Sequence, residues 1–309
     1  MALRQTLRAA SGNQRLRTLV TNNRAVRGAA GRFVAGESVE DALRAVTDLA
    51  EHGLFTTLHN VAASAHHPSQ AVETTHAYLH LLQRLSDTGL APLADLSVKP
   101  TTVGLGLGPE GESLARENIA RICAAARDAG TTLTLETEGA EQVTATLRTV
   151  TTLRREFPTL GCALQSYLRR TAGDAADMSG PHTRVRLAKG GTSDPAAAHP
   201  TRREGDAAFV RILRQLMAGS TYPMVATHDP RLIGIAATLA ERNERSRDEF
   251  EYQMLYGAHS REQRRLTRQG AQVRVYVPYG HDWYGYLLRR AAARPAALAS
   301  AARVTASGG

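Results

Sequence analysis

From residue 54 onward the chain keeps a regular beat: a short β-rich run, then a helix-compatible segment, eight times over. The runs are LFTTLHNV (54–61), ADLSVK (94–99), TTLTLETE (131–138), GCALQSYL (161–168), TRVRLAK (183–189), PMVATHD (223–229), EFEYQMLYG (249–257) and QVRVYVPYG (272–280). The segments between them place apolar residues three and four apart, as around Cys123 and Leu213, which is helical spacing. Only the segment after the fourth run, GDAADMSG, is short. Glycines at 89, 130, 219 and 270 close helices, and each is expected in the left-handed conformation of a helix C-terminus. A strand that must return to the same edge after every helix makes a parallel sheet. Eight such units with nearly unbroken apolar strands predict a closed (βα)8 TIM-type barrel over an apolar interior.

The barrel is expected over residues 51–295, after an N-terminal helical arm (1–50) and before a small-residue tail (296–309) that frays. The first 36 residues hold seven Arg and no acid. That composition resembles an organelle transit peptide, and equally a basic amphipathic helix resting on an anionic membrane; its Leu/Val spacing favours an arm packed on the domain. No run approaches 18 apolar residues, so no spanning helix is expected. Cys123 and Cys162 lie in apolar contexts and read as reduced core residues of a cytoplasmic protein. The net charge of +9 comes from dispersed Arg, and aromatic residues are 5% of the chain. A clustered basic stripe with aromatics is absent, so no nucleic-acid partner is expected.

In such barrels the strand C-termini carry function. Read in order they give Lys99; Glu136 and Glu138; Gln165, Tyr167, Arg169 and Arg170; Arg186 and Lys189; Thr227, His228 and Asp229; Gln253 and Tyr256; Tyr276 and Tyr279. The following helix adds Arg289 and Arg290. This polar ring, with its excess of positive charge, suits an anionic ligand or cofactor. Lys99 and Lys189 are the two lysines among 38 basic residues, each ending a strand-like run. A slim ammonium has been kept where a guanidinium does not substitute. Other motifs are weaker. GLGLGPEG (104–111) lacks the third glycine and the distant acid of a dinucleotide fingerprint, and a loop is expected there. His76 and His80 stand one helical turn apart, with His59, His66 and His67 nearby, but no Glu lies between the pair and no strand-end carboxylate beside them, and no metal site is expected.

Together these segments resemble the flavin-dependent proline dehydrogenase family, in particular its monofunctional bacterial members. The resemblance is carried by LRQTLRAAS at the start, SVK (97–99), ENIARICAAARDAGTTLTLE (117–136), LQSYLRRT (164–171), RVRLAKGG (184–191), YPMVATHDPRLI (222–233), EFEYQMLYG (249–257) and VRVYVPYGHDWYGYLLRR (273–290). It implies a distorted (βα)8 barrel with N-terminal helices. It implies FAD along the strand C-termini, held by Gln165, Arg186, Lys189, Gly190, Thr227, His228 and Gln253. It implies an amino-acid substrate with a free carboxylate, bound by Lys99, Leu255, Tyr276, Tyr286, Arg289 and Arg290, with Lys99, Glu136, Tyr276, Arg289 and Arg290 taking part in catalysis. The two adjacent guanidiniums would clamp the carboxylate. Electrons would pass to a quinone-type acceptor, with peripheral contact at the inner membrane face.

The chain departs from the family pattern at four places. Glu136 replaces the usual Asp, and Ala63 stands where an LDxLGE-like segment has its Glu, here TLHNVAAS. Thr192 replaces an aromatic residue, and Ala293 an acid. The expected activity is oxidation of L-proline to 1-pyrroline-5-carboxylate. The alternatives are the same chemistry on a proline analogue or other amino acid, and a non-catalytic flavin-binding relative. Lys99 and Glu136 end neighbouring strands, and an ion pair between them is expected.

Overall fold

The structure is a computed structural model, and it describes residues 23, 28, 30–190 and 195–293. The N-terminal residues of the expected arm, Thr192 and the 296–309 tail lie outside the described residues. All eight expected strands form: β1 Phe55–Asn60, β2 Ala94–Val98, β3 Thr132–Leu135, β4 Gly161–Gln165, β5 Arg184–Ala188, β6 Tyr222–Ala226, β7 Glu251–Leu255 and β8 Val273–Tyr279. Each pairs in parallel with the next, and β8 pairs with β1 to close the barrel. Nine helices are described: α1 Val39–Ala50, α2 Pro68–Asp87, α3 Gly111–Ala129, α4 Val143–Leu153, α5 Thr171–Met178, α6 Arg202–Ala218, α7 Pro230–Arg242, α8 Ser260–Arg268 and α9 Trp283–Ala293.

Local chemistry sets the helix ends. Ser38 and Asp41 form a capping box ahead of α1, and Thr201 and Asp229 cap α6 and α7 through side-chain oxygens. Gly89, Gly130 and Gly270 are left-handed as expected, with φ of 70°, 76° and 82°. Gly219 is not: it is extended at φ −91°, because the chain runs from α6 almost directly into β6. Helix α1, within the expected arm, packs Ala42, Leu43, Ala45 and Val46 into the main core.

The core lies between the barrel and its helices. Leu58, Leu96, Val98, Leu135, Leu164, Val185, Leu187, Val225, Val273, Val275 and Val277 all face outward into it. Successive strand residues point to opposite faces. The alternate positions therefore face the barrel axis; among them Thr57, Asp95, Ser97, Thr134, Arg186, Glu251, Gln253 and Arg274 are buried, Tyr276 is partly exposed, and Ala163 and Met224 are the buried apolar members. This corrects the expected apolar interior. On β1, β2, β3, β5, β7 and β8 the strands alternate, and their polar half is enclosed by the closing sheet.

Candidate functional site

The centre of the site is Arg186 on β5, 3% exposed. Its Nε donates to Gln253 Oε1 at 2.6 Å, and its Nη1 to Ser97 Oγ at 2.9 Å and Glu136 Oε1 at 2.8 Å. Its Nη2 faces Asp95 Oδ2 at 3.4 Å, and the guanidinium lies 5.6 Å from the centre of the Tyr276 ring. Ser97 also donates to Glu136, at 2.5 Å. Burial alone would raise the Glu136 carboxyl, but Arg186 and the Ser97 hydroxyl outweigh it and hold it below the usual carboxylate range. Beneath Arg186 the network continues. Gln253 donates to Glu251, and Arg274 Nε lies 2.9 Å from both Glu251 oxygens.

The expected ion pair between Lys99 and Glu136 is not made. Lys99 Nζ lies 3.9 Å from Glu138, while Glu136 reaches across the barrel to Arg186. The reason is geometric: Glu136 follows β3 on its inward face, whereas Lys99 ends β2 at the start of a 3-10 turn, Pro100–Val103. Around the rim, Lys189 is flanked by Asp206 at 2.8 Å and Asp229 at 3.2 Å. Hydrogen bonds from Arg231, together with Lys189, hold the Asp229 carboxyl well below the usual range despite some burial. Gln165 Nε2 donates to the carbonyls of Thr137 and Glu138. His228 Nε2 accepts from the Leu255 amide, and Thr227 Oγ1 from the Asp229 amide. Gly190 has φ +74°, and a Cβ there would lie 2.4 Å from Gln165 Oε1.

Helix α9 brings its side chains to the same mouth unequally. Arg290 Nη1 donates to Tyr286 Oη at 2.9 Å. Arg289 is more exposed and pairs at 3.0 Å with Asp282, the residue just before α9. Tyr276 and Tyr286 are both raised by burial, so their hydroxyls stay protonated. Tyr279 and Tyr256, read from the strand ends, instead pack in the strand–helix core. Arg170 pairs with Asp174 and Arg169 binds the carbonyls of Ala196 and Ala198, so neither turns into the mouth. Two participants, Ser97 and Asp95, were not singled out from sequence, and His59 was read only as a neighbour of the His76–His80 pair. His59 is 1% exposed, with Nδ1 3.0 Å from the Ser97 carbonyl oxygen and its ring 5.5 Å from that of Tyr276. The alternation in β1 and β2 (TTLHN, ADLSV) was the signal that could have found them.

A sequence model described as "Proline dehydrogenase" matches residues 42–293. The chain belongs to the proline dehydrogenase family. It is 36% identical to the proline dehydrogenase of Deinococcus radiodurans over 269 residues, 86% of each chain. It is 33% identical to proline dehydrogenase 1 of Bacillus subtilis strain 168 over 268 residues, 86% of this chain and 87% of that one. Among solved structures it is similar in fold to proline utilization A of Bdellovibrio bacteriovorus, at TM-score 0.80 and 22% identity. That likeness covers 86% of this chain and 32% of the longer one. The family is one of oxidoreductases, and the closed barrel is the fold it shares with that structure. Among the described residues no helix is long and apolar enough to cross a membrane.

Proposed function

We propose that this chain is an FAD-dependent dehydrogenase that oxidises L-proline to 1-pyrroline-5-carboxylate and passes the electrons to a quinone-type acceptor. The observation that carries the reading is the buried Arg186, fixed by Gln253, Ser97, Glu136 and Asp95 at the barrel mouth of a member of this family. The donor set suits FAD. Gln165, Lys189, Thr227 and His228 end or follow β4, β5 and β6 on one rim, and Gly190, whose Cβ would strike Gln165 Oε1, lets the chain after β5 close against that amide. With Arg186 and Gln253 they are the residues that would hold the cofactor. When bound, FAD supplies the acceptor for a hydride from the carbon next to the substrate nitrogen.

The protein's part is to position and to exclude water. Arg290, steadied by Tyr286, and Arg289 bind the substrate carboxylate; a guanidinium matches a carboxylate with two parallel hydrogen bonds. Tyr276, Tyr286 and Leu255 wall the substrate space. Arg186 places a buried cation where negative charge develops during turnover, pre-oriented by four partners and so without reorganisation. Lys99 stands at the opposite side with Glu138. We place the protein in the cytoplasm. Its basic, acid-free first 36 residues suit peripheral contact with the anionic inner membrane face, where a quinone resides.

A second reading keeps the chemistry and changes the substrate to a proline analogue or another amino acid. It is favoured by Ala63, an exposed alanine where the family pattern has a Glu that helps close the site. Anaerobic addition of amino acids to the purified protein separates the two readings. A flavin spectrum that bleaches with proline is expected. Bleaching with another amino acid alone selects the second reading, and a protein that takes up no flavin overturns both.

A further inference from the structure

His59 lies two residues beyond Thr57 on β1, so both side chains point into the barrel; Thr57 there donates to Asp95. The imidazole sits between two aromatic walls, its ring 5.5 Å from Tyr276 and 6.4 Å from Tyr286. Its Nδ1 faces the Ser97 carbonyl oxygen at 3.0 Å. A carbonyl oxygen only accepts, so in the neutral ring Nδ1 carries the hydrogen and Nε2 offers a lone pair. Among the described residues none hydrogen-bonds Nε2. Burial, Lys99 and Arg186 all act against protonation, while the Ser97 carbonyl and Glu136 favour it; the balance pushes the ring down to about 4. At neutral pH the mouth therefore holds an uncharged acceptor beside Lys99, Arg186 and Glu136.

The sequence makes this residue particular to the chain. In the LDxLGE-like segment, TLHNVAAS puts His59 at the acidic second position and Ala63 at the closing Glu. Neither position carries a carboxylate here, and His59 presents a neutral acceptor, which suits the N–H of a neutral amine.

We propose that His59 Nε2 accepts the hydrogen bond from the N–H of the substrate amine. The inference rests on the amine-oxidation reading above. In that reaction the C–H bond next to nitrogen breaks and its electron pair leaves as hydride to the bound flavin. The nitrogen lone pair becomes the second bond of C=N, and the N–H hydrogen stays on a nitrogen that has gained positive charge. The N–H becomes a stronger donor as that charge grows, so the bond to Nε2 tightens toward the transition state. A protonated imidazole would instead set one N–H against another.

The test uses flavin-loaded protein and two planar rings that cannot lose hydride: pyrrole-2-carboxylate, which carries N–H, and furan-2-carboxylate, which carries oxygen in its place. Binding is read from the change in the flavin absorbance, without turnover. The parent protein is expected to bind the pyrrole about tenfold more tightly, one hydrogen bond gained against two lone pairs opposed. His59→Asn keeps an amide donor near the Ser97 carbonyl but withdraws the acceptor from the mouth. Its ratio should fall to near one, with melting temperature and flavin content unchanged and proline kcat lowered. His59→Gln, whose amide oxygen reaches toward the Nε2 position, should recover part of both. An equal affinity for the two rings in the parent protein overturns the proposal, as does a ratio that His59→Asn leaves unmoved, or a loaded protein that binds neither ring. Should His59→Asn fail to fold, the parent ratio decides alone. A protein that takes up no flavin overturns the amine-oxidation reading itself, which is a distinguishable result.

Discussion

At the scale of the residue, Arg186 and Glu136 show why a list of strand ends gives the members of a site and not its pairing. Both residues were legible, as polar groups at the ends of apolar-looking runs. Their contact was not, because it spans the barrel between β3 and β5, and strand order says only which strands are adjacent. Lys99 and Glu136 end adjacent strands, yet β2 turns away into a 3-10 turn while Glu136 points inward to Arg186. The consequence is measurable. Glu136→Gln leaves Asp95, 3.4 Å away, as the remaining carboxylate of a buried guanidinium. Breaking a buried pair costs about 3–5 kcal/mol, and the lower end is expected here because Asp95, Ser97 and Gln253 remain. Glu136→Asp keeps the charge and restores the family's usual residue, and should lose about 1 kcal/mol or less, a conservative change at a partly accessible site. Denaturant titration with flavin content as a second readout checks both. A Gln variant that matches the parent on both counts would remove Glu136 from the support of Arg186.

At the scale of the element, the eight strands and their helices were legible because each unit carries its own punctuation. What the runs concealed was their alternation: TRVRLAK, ADLSV and QVRVYV are polar at every second position, and only closure of the sheet turns that face inward. The GLGLGPEG connection between β2 and α3 is a second case, since its glycines answer to backbone geometry. Gly104 and Gly106 have φ of 122° and 100°. Gly111 opens α3 with ordinary φ, but a Cβ there would lie 2.8 Å from the Gly104 carbonyl oxygen and 3.2 Å from the Gly106 nitrogen. These are backbone atoms and cannot swing aside. Gly111→Ala should therefore destabilise by about 1–3 kcal/mol, the range for overpacking. Gly173→Ala, in α5 with nothing within 4 Å of the added carbon, should stabilise by roughly 0.5–1 kcal/mol because alanine is the better helix former. Thermal melts of the two variants give opposite signs if space and backbone angle decide; a shared sign would refute that account.

At the scale of the whole molecule, the barrel interior is a column of buried charge running from the mouth downward: Glu136, Arg186, Gln253, Glu251, Arg274. Gln253 joins its halves, accepting from Arg186 on one side and donating to Glu251 on the other. A carboxylate only accepts and a guanidinium only donates, so the amide has a single orientation that satisfies both. The lower half thereby helps to fix the cation at the mouth. Arg274→Met leaves Glu251 buried with only the Gln253 amide, Tyr222 at 3.2 Å and the more distant Arg184 at 4.0 Å, and should cost about 3–5 kcal/mol. Combining it with Glu251→Met replaces the pair by apolar side chains of similar volume, which is often neutral, so much of that stability should return. Flavin content should not return with it, because Gln253 has then lost the carboxylate that orients it and Arg186 is held less firmly. Stability and cofactor retention would thus separate in the double variant. If flavin content instead follows melting temperature through all three proteins, the lower half of the column serves stability alone and the mouth is positioned without it.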